Sequence, residues 1–360
     1  MSSRSAVRRA FAALLLAAAG VAVALGVAEI VARALGAGDG SRRTHAPAAD
    51  FPDPELDGLP ELRSAIELAQ PNVRGIHEGV LHRTNSAGMR GPEVSLAPAP
   101  GRFRIVIVGD SITMGHRVRE QDAYPSRLER RLSAEVPGAE FEVLNLGLSG
   151  SNVVHNLRRL ERVGLRHHPN LIVYGFTVND IEGPHFEANS AEDRDAYLAE
   201  LTRFADSPSR LFQLVWPRWV AIRSGLDPRP GSYEYAVERG YLRNPQAWAR
   251  VAKGLDRLVT LGRSEGVCVV VFIHAVMQQF NLAHPFERVY EHVAREAQQR
   301  GLHVAHSLPA FRGRDAASVR FDVVDSHPNA EGHRVLADAL VEAVLALPPE
   351  CGVPRSGAGS

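Results

Sequence analysis

Arg104-Ile105-Val106-Ile107-Val108-Gly109-Asp110-Ser111 is a short run of β-branched residues that stops abruptly at a glycine, an acid and a hydroxyl. Four consecutive apolar residues, Ile105 to Val108, fit a strand buried on both faces. The amphipathic stretch beyond Tyr124, with Leu128 and Leu132, supplies a helix to cover it. Ser111 therefore falls at the carboxyl end of a strand. In an open α/β sheet, that edge is where loops converge on a crevice flanked by helix amino ends. Taken by itself, the octapeptide also allows Ser111 a plain helix-capping role.

Working outward, the same alternation recurs. Phe141 to Asn145 reads as a second strand, ending in Leu146-Gly147-Leu148-Ser149-Gly150 before a helix from Asn152 to Val163. Leu171 to Tyr174 is a third strand, closing on Thr177-Val178-Asn179-Asp180. Val267 to Ile273 is a fourth, Phe286 to Arg300 a helix, Leu302 to Ala305 a fifth strand and Gly332 to Leu345 the last helix. Strand and helix in turn predict a doubly wound α/β domain over 104–346. Residues 61–103, with one helix near Leu62 to Leu68, form an extension expected to pack on that domain, and 347–360 a flexible tail.

Between Ile181 and Gln246 the alternation fails. This insertion, 181–246, is rich in aromatic residues, among them Phe204, Phe212, Trp216, Trp219, Tyr233 and Tyr241. Following directly on a strand end, it would overhang the crevice as a lid or an acyl or glycan platform. Its aromatics would equally serve to pack the insert onto the body. Trp216-Pro217-Arg218-Trp219 also suits a bilayer surface.

Composition bounds the rest. The chain has 360 residues, 45% of them hydrophobic, enough for one large core with appendages. Lys+Arg and Asp+Glu both number 41, and the arginines are interspersed with acids, so no nucleic-acid partner is indicated. The two cysteines, Cys268 and Cys351, make neither a disulfide framework nor a metal knot.

The amino terminus carries the clue to compartment. Arg4, Arg8 and Arg9 precede an uncharged run from Ala10 to Ala28, which Glu29 ends. Nineteen helical residues rise about 28 Å, close to the thickness of a bilayer's hydrocarbon. Residues 1–35 are thus expected to be a single-pass inner-membrane anchor with the basic flank in the cytoplasm and the rest periplasmic. A cleaved signal and a secreted product is the alternative. Residues 36–60 read as a linker.

Four elements fall at strand carboxyl ends or before the last helix: Ser111, Gly150, Asn179 and the pair Asp325/His327. A serine hydroxyl becomes a good nucleophile when an imidazole takes its proton and a carboxylate holds the imidazole's other nitrogen. His327 suits the base and Asp325 the acid. The amides of Ser111 and Gly150 and the carboxamide of Asn179 suit an oxyanion hole. His274, Thr177, Trp216 and Trp219 are candidate substrate contacts. Asp110 and Asp180 suit loop-supporting roles, accepting backbone N–H bonds. No His/Asp/Cys grouping has metal-site spacing, and the glycine-rich pieces lack both G-x-G-x-x-G spacing and a P-loop lysine, so no metal or cofactor is expected.

This pattern resembles the SGNH/GDSL hydrolase superfamily, matched in order by Gly109-Asp110-Ser111, Asn145 through Gly150, Asn179-Asp180, and Asp325-Ser326-His327-Pro328-Asn329-Ala330-Glu331-Gly332-His333. The resemblance spans Arg104 to Leu345 apart from the insertion. It implies a flavodoxin-like α/β/α sandwich with a parallel sheet and hydrolysis of acyl or acetyl esters on lipid or polysaccharide. It also implies Ser111 as nucleophile, His327 as base, and Ser111, Gly150 and Asn179 as oxyanion donors.

Two positions depart from the family pattern. Thr177 stands where the third block usually has glycine. The fifth block often reads Asp-x-x-His, but residue 324 is Val and the acid is one place nearer the histidine. Asp322 is the fallback acid, and a Ser-His dyad oriented by a backbone carbonyl a further alternative. An O-acyltransferase using the same acyl-enzyme, or a catalytically silent glycan- or lipid-binding module, are the competing functions.

Overall fold

The computed structural model describes residues 19–34, 58–184, 207–226, 230–280, 284–322 and 325–355, with 186 and 199. Phe204 and half of the apolar run Ala10–Ala28 lie outside the described residues. Within them, residues 19–34 form a helix, and none of the described helices is long and apolar enough to cross a membrane.

Seven strands are present among the described residues: β1 Arg74–His77, β2 Val80–Arg83, β3 Arg102–Gly109, β4 Glu140–Asn145, β5 Leu171–Phe176, β6 Cys268–Ile273 and β7 His303–His306. The last five form one parallel sheet in the order β4-β3-β5-β6-β7. That is the doubly wound arrangement whose order reverses beside its first strand, β3. Ile105, Val106, Ile107 and Val108 on this strand are completely buried, as four unbroken apolar residues require.

Helices close both faces. The helices Tyr124–Glu135 and Ala330–Leu345 pack together on one side, while Val153–Arg159 and Pro245–Glu265 pack together on the other. His333 ties the first pair: its ring is fully buried and Nδ1 accepts the Tyr124 N–H at 3.2 Å, satisfying a first-turn donor that the cap residue Ala123 leaves free. The expected helix Asn152–Val163 is an α-helix only over Val153–Arg159, then widens into a π turn, Leu160–Gly164.

A charge also sits in this core. Arg104 is fully buried on β3 opposite Glu142 of β4, which it meets at 2.5 Å, and its Nη1 donates to the carbonyls of Leu96 and His167. Pairing and hydrogen bonding together make such burial tolerable.

The 61–103 segment contains a feature not anticipated from periodicity, the antiparallel hairpin β1–β2, turned by Glu78 and Gly79 at φ 50° and 79°. Two successive positive φ values give a tight two-residue turn. From the same segment Arg90 reaches into the domain. It is buried, and donates from Nη1 to the carbonyls of Met114 and Gly115 at 2.7 and 2.6 Å and from Nη2 to that of Val118 at 2.8 Å. Burial lowers its pKa to about 10.

The cysteines need a correction. Cys268 at the start of β6 and Cys351 after the last helix form a disulfide across 83 residues. The apolar context of one and the Gly/Pro context of the other concealed a pairing that only the tertiary fold creates.

Candidate active site

Strand β3 delivers Ser111 to the first position of the short helix Ser111–Met114, with Asp110 as its cap accepting the Ile112 N–H at 3.0 Å. The turn is tight because neighbouring glycines admit it. A Cβ on Gly109 would lie 2.2 Å from Thr113 Oγ1, one on Gly175 2.5 Å from the same atom, and one on Gly147 2.1 Å from Met114 N. Thr113 Oγ1 in turn lies 2.9 Å from the Tyr124 hydroxyl, so this turn is locked to the helix behind it.

Residue His327, 216 positions later, lies before the last helix. Its Nε2 is 2.8 Å from Ser111 Oγ, and its Nδ1 is 2.6 Å from Asp325 Oδ1, which also accepts the His327 N–H at 3.1 Å. The fallback acid Asp322 lies one step further back: its Oδ1 accepts the Asp325 N–H at 2.8 Å. Asp322 thus holds the backbone of Asp325 rather than the imidazole.

Two residues absent from the sequence-based set join this line. Arg117 Nη1 donates to Asp325 Oδ2 at 2.8 Å, with its guanidinium 4.5 Å from the centre of the Phe321 ring and its backbone at φ 59°. A non-glycine residue in that region carries strain, which the surrounding contacts must hold. His116 packs its ring 4.5 Å from that of His327 and 5.5 Å from that of His77. Burial, with His327 adding to it, lowers the His116 pKa to about 3. Burial pushes the Asp325 carboxyl up, but its hydrogen bonds from His327 and Arg117 outweigh this and hold it well below the usual carboxylate range.

The second and third blocks come to the same edge. Leu148 N and Ser151 Oγ both donate to Gly109 O, at 3.0 and 3.1 Å, which fixes the loop carrying Gly150 against the end of β3. Gly150 has φ 70°, and a Cβ there would meet no protein atom within 4 Å. Asn179 lies on the 3-10 turn Val178–Ile181, with its Oδ1 buried and lacking a partner among the described residues. Burial raises the Asp110 pKa, against which the Ile112 N–H and the side chains of Thr177 and Asn179 act.

Asp180 accepts from Thr177 N at 3.4 Å and Asn156 Nδ2 at 3.3 Å, and Asn156 Oδ1 accepts from Ser151 Oγ at 2.7 Å. One buried network therefore joins all three strand ends. Burial holds the Asp180 pKa well above the usual range. Thr177 has an ordinary extended backbone at φ −133°, which does not require glycine.

Two candidate substrate contacts point elsewhere. The His274 ring is fully buried, 4.9 Å from that of Phe272 and 5.2 Å from that of Tyr124, and its Nδ1 is 3.3 Å from Thr177 Oγ1. Thr177, after β5, and His274, after β6, are thus both buried and in contact with each other. Trp216 and Trp219 stand on the separate helix Arg210–Leu226. Tyr241 of the insertion is buried and packs against Phe176, joining the insert to the body.

The expectation of no metal-like grouping also needs qualification. The donor atoms of His116, Asp325 and His327, and those of Cys268, His303 and Cys351, lie within 4.8 Å of one another. Their donors are already engaged, Asp325 Oδ2 by Arg117 and the two cysteines by each other.

A model of the GDSL-like lipase/acylhydrolase family matches residues 107–335, from within β3 to the first turns of the last helix. The chain belongs to the GDSL-like lipase/acylhydrolase family. This GDSL-like chain is accordingly an enzyme of the serine esterase and acylhydrolase class. Comparison with curated proteins finds no match. Among solved structures, it is similar to LAE5, an alpha/beta hydrolase enzyme from the metagenome of Lake Arreo, Spain, with 18% identity and a TM-score of 0.43 over 71% of this chain and 97% of that one. A mutant of Axe2, an acetyl-xylooligosaccharide esterase from Geobacillus, gives 16% identity and a TM-score of 0.41 over 71% and 97%. TesA gives 17% and 0.38 over 67% and 97%.

Proposed function

We propose that this GDSL-like enzyme is a membrane-tethered, extracytoplasmic ester hydrolase working through an acyl-enzyme on Ser111. The observation that carries the reading is the unbroken line from Ser111 Oγ through the His327 ring to Asp325, with contacts of 2.8 and 2.6 Å.

The chemistry follows from proton positions. His327 Nε2 takes the Ser111 proton as Oγ bonds to the acyl carbon, while Asp325 stabilises the charge that appears on the ring. The carbonyl oxygen becomes an oxyanion, facing the amides of Ser111 and Gly150 and the carboxamide of Asn179. His327 then gives its proton to the departing alcohol as the carbon–oxygen bond breaks. A water, deprotonated by the same nitrogen, attacks the acyl-enzyme, and the proton returns to Ser111 as the acid leaves.

Compartment rests on three observations. The run Ala10–Ala28 has the length of a membrane span. Its described end, in residues 19–34, exposes Val21, Val23, Leu25 and Val27. The Cys268–Cys351 disulfide suits an oxidising environment.

A series of p-nitrophenyl esters from acetyl to long-chain acyl, assayed on the full chain in detergent, tests the activity. Turnover of at least one member that vanishes in Ser111→Ala is the expected result, and the preferred chain length separates an acetyl-ester from a lipid-ester substrate. No turnover across the series, or turnover that survives Ser111→Ala, overturns the proposal.

A further inference from the structure

The helix Arg210–Leu226 and the helix at residues 19–34 meet at one carboxylate. Glu29 accepts Ser209 Oγ at 2.8 Å, Arg210 N at 2.9 Å and Leu211 N at 2.9 Å, which satisfies donors of the first turn of Arg210–Leu226. Arg33, paired with Glu29 at 2.7 Å, donates from Nη2 to Pro208 O at 2.6 Å. Two charged residues one helical turn apart thus clamp the start of the insertion's helix.

Glu29 has a second significance. It is the first charged residue after the run Ala10–Ala28. The helix at residues 19–34 exposes Val21, Val23, Leu25, Val27 and Ile30. At about 100° per residue those positions fall on two opposite sides of the helix, and apolar surface exposed on both belongs in hydrocarbon rather than in water. If that run spans the bilayer, Glu29 stands at its surface, and the first turn of Arg210–Leu226 is held at the same level.

The second helix suits that level. Phe212, Val215 and Trp219 are each about half exposed, and a spacing of three and then four residues puts them in one stripe. Trp216, one turn from both Phe212 and Trp219, borders the stripe. Tryptophan, with an apolar ring and one polar N–H, is the residue most at home where acyl chains meet headgroups.

We infer that the helix Arg210–Leu226 lies on the lipid bilayer beside the amino-terminal helix, held there by Glu29, with the Phe212–Val215–Trp219 stripe turned into the interface. This rests on the membrane-tethered reading of the amino terminus. It adds that the aromatic insertion is an interfacial element, so that the catalytic domain is held close to the membrane surface. Amphiphilic esters in the outer face of that bilayer are the substrates such a placement favours.

The full chain, reconstituted in phosphatidylcholine/phosphatidylglycerol vesicles with acyl chains brominated near their headgroup end, provides the test. Flotation reports whether the chain is membrane-bound, and tryptophan emission reports where the stripe lies. The inference expects co-flotation, loss of emission relative to unbrominated vesicles, and disappearance of the bromine-sensitive component in Trp216→Phe/Trp219→Phe. Glu29→Gln should still float but lose most of the quenching. Flotation without any bromine effect overturns the inference while leaving the anchor intact. Emission shielded from acrylamide yet insensitive to bromine would also overturn it, assigning the stripe to a second protein copy. Failure to float overturns the anchor and the inference together.

Discussion

Arg117 Nη1 lies 2.8 Å from Oδ2 of Asp325, the carboxylate whose other oxygen lies 2.6 Å from His327 Nδ1. One carboxylate therefore serves two cations when the imidazole is protonated. The guanidinium fixes Asp325 in orientation. Arg117→Gln should lower kcat on the order of ten-fold, as the carboxylate loses one of the donors that hold it against the ring. Arg117→Lys should restore most of the loss. An unchanged kcat would assign Arg117 to loop structure alone.

The two acids of the last block should separate kinetically. Asp325 touches the imidazole, whereas Asp322 receives the Asp325 N–H at 2.8 Å. Asp325→Asn should lower kcat on the order of 10³–10⁴-fold, as expected when the ring loses its orienting carboxylate. Asp322→Asn keeps an oxygen for that N–H, and its loss should stay under about ten-fold. Equal losses would mean that Asp322 bears directly on the ring.

Acid should unfold the protein through its histidines. Burial lowers the pKa of His82, His284 and His306 to about 4 and that of His116 and His274 to about 3. Between those values and the ordinary histidine pKa near 6.5, the unfolded chain binds protons that the folded chain refuses. Stability is therefore full above about pH 7 and falls as pH drops. Each such histidine contributes a slope of up to about 1.4 kcal/mol per pH unit. Urea unfolding midpoints measured from pH 7.5 down to 4.5 should decline steeply, and a flat profile would contradict the buried, neutral state of these rings.

Reduction offers an independent check on the fold. The Cys268–Cys351 bond ties the start of β6 to the chain beyond the last helix. Closing so long a loop restricts the unfolded chain, and its loss should cost about 2–5 kcal/mol. Cys351→Ser should show that loss in urea melts without added reductant, and wild type should match it once reduced. Identical melts for oxidised and reduced protein would count against the bond.

The legibility of this chain follows the range of the interactions involved. Strands β3, β5 and β6 could be read because each holds an unbroken apolar run, a local signal, and β4 and β7 from their places in the alternation of strand and helix. Ser111 and His327 could be read because strand ends and the loop before a final helix are predictable positions in such a sheet.

Arg117 could not. It meets Asp325 across 208 positions, and nothing in the local pattern around Gly115-His116-Arg117 marks a side chain that reaches the triad. The disulfide was invisible for the same reason. The β1–β2 hairpin did leave a mark, the Glu78-Gly79 pair at its turn, but Arg74 to His77 offers too little apolar alternation to support it. The long helix Pro245–Glu265 has Asn244 and Pro245 at its start and Gly266 at its end. Those boundary signals were masked by the aromatic insertion that runs directly into it.

The central claim is that Ser111 is the residue acylated. Full-length enzyme incubated with a fluorophosphonate and digested for mass spectrometry should carry one adduct, on the peptide containing Ser111, and His327→Ala should slow its formation by orders of magnitude. An adduct on another residue, or an unmodified Ser111 in an enzyme that still turns over esters, would contradict the account.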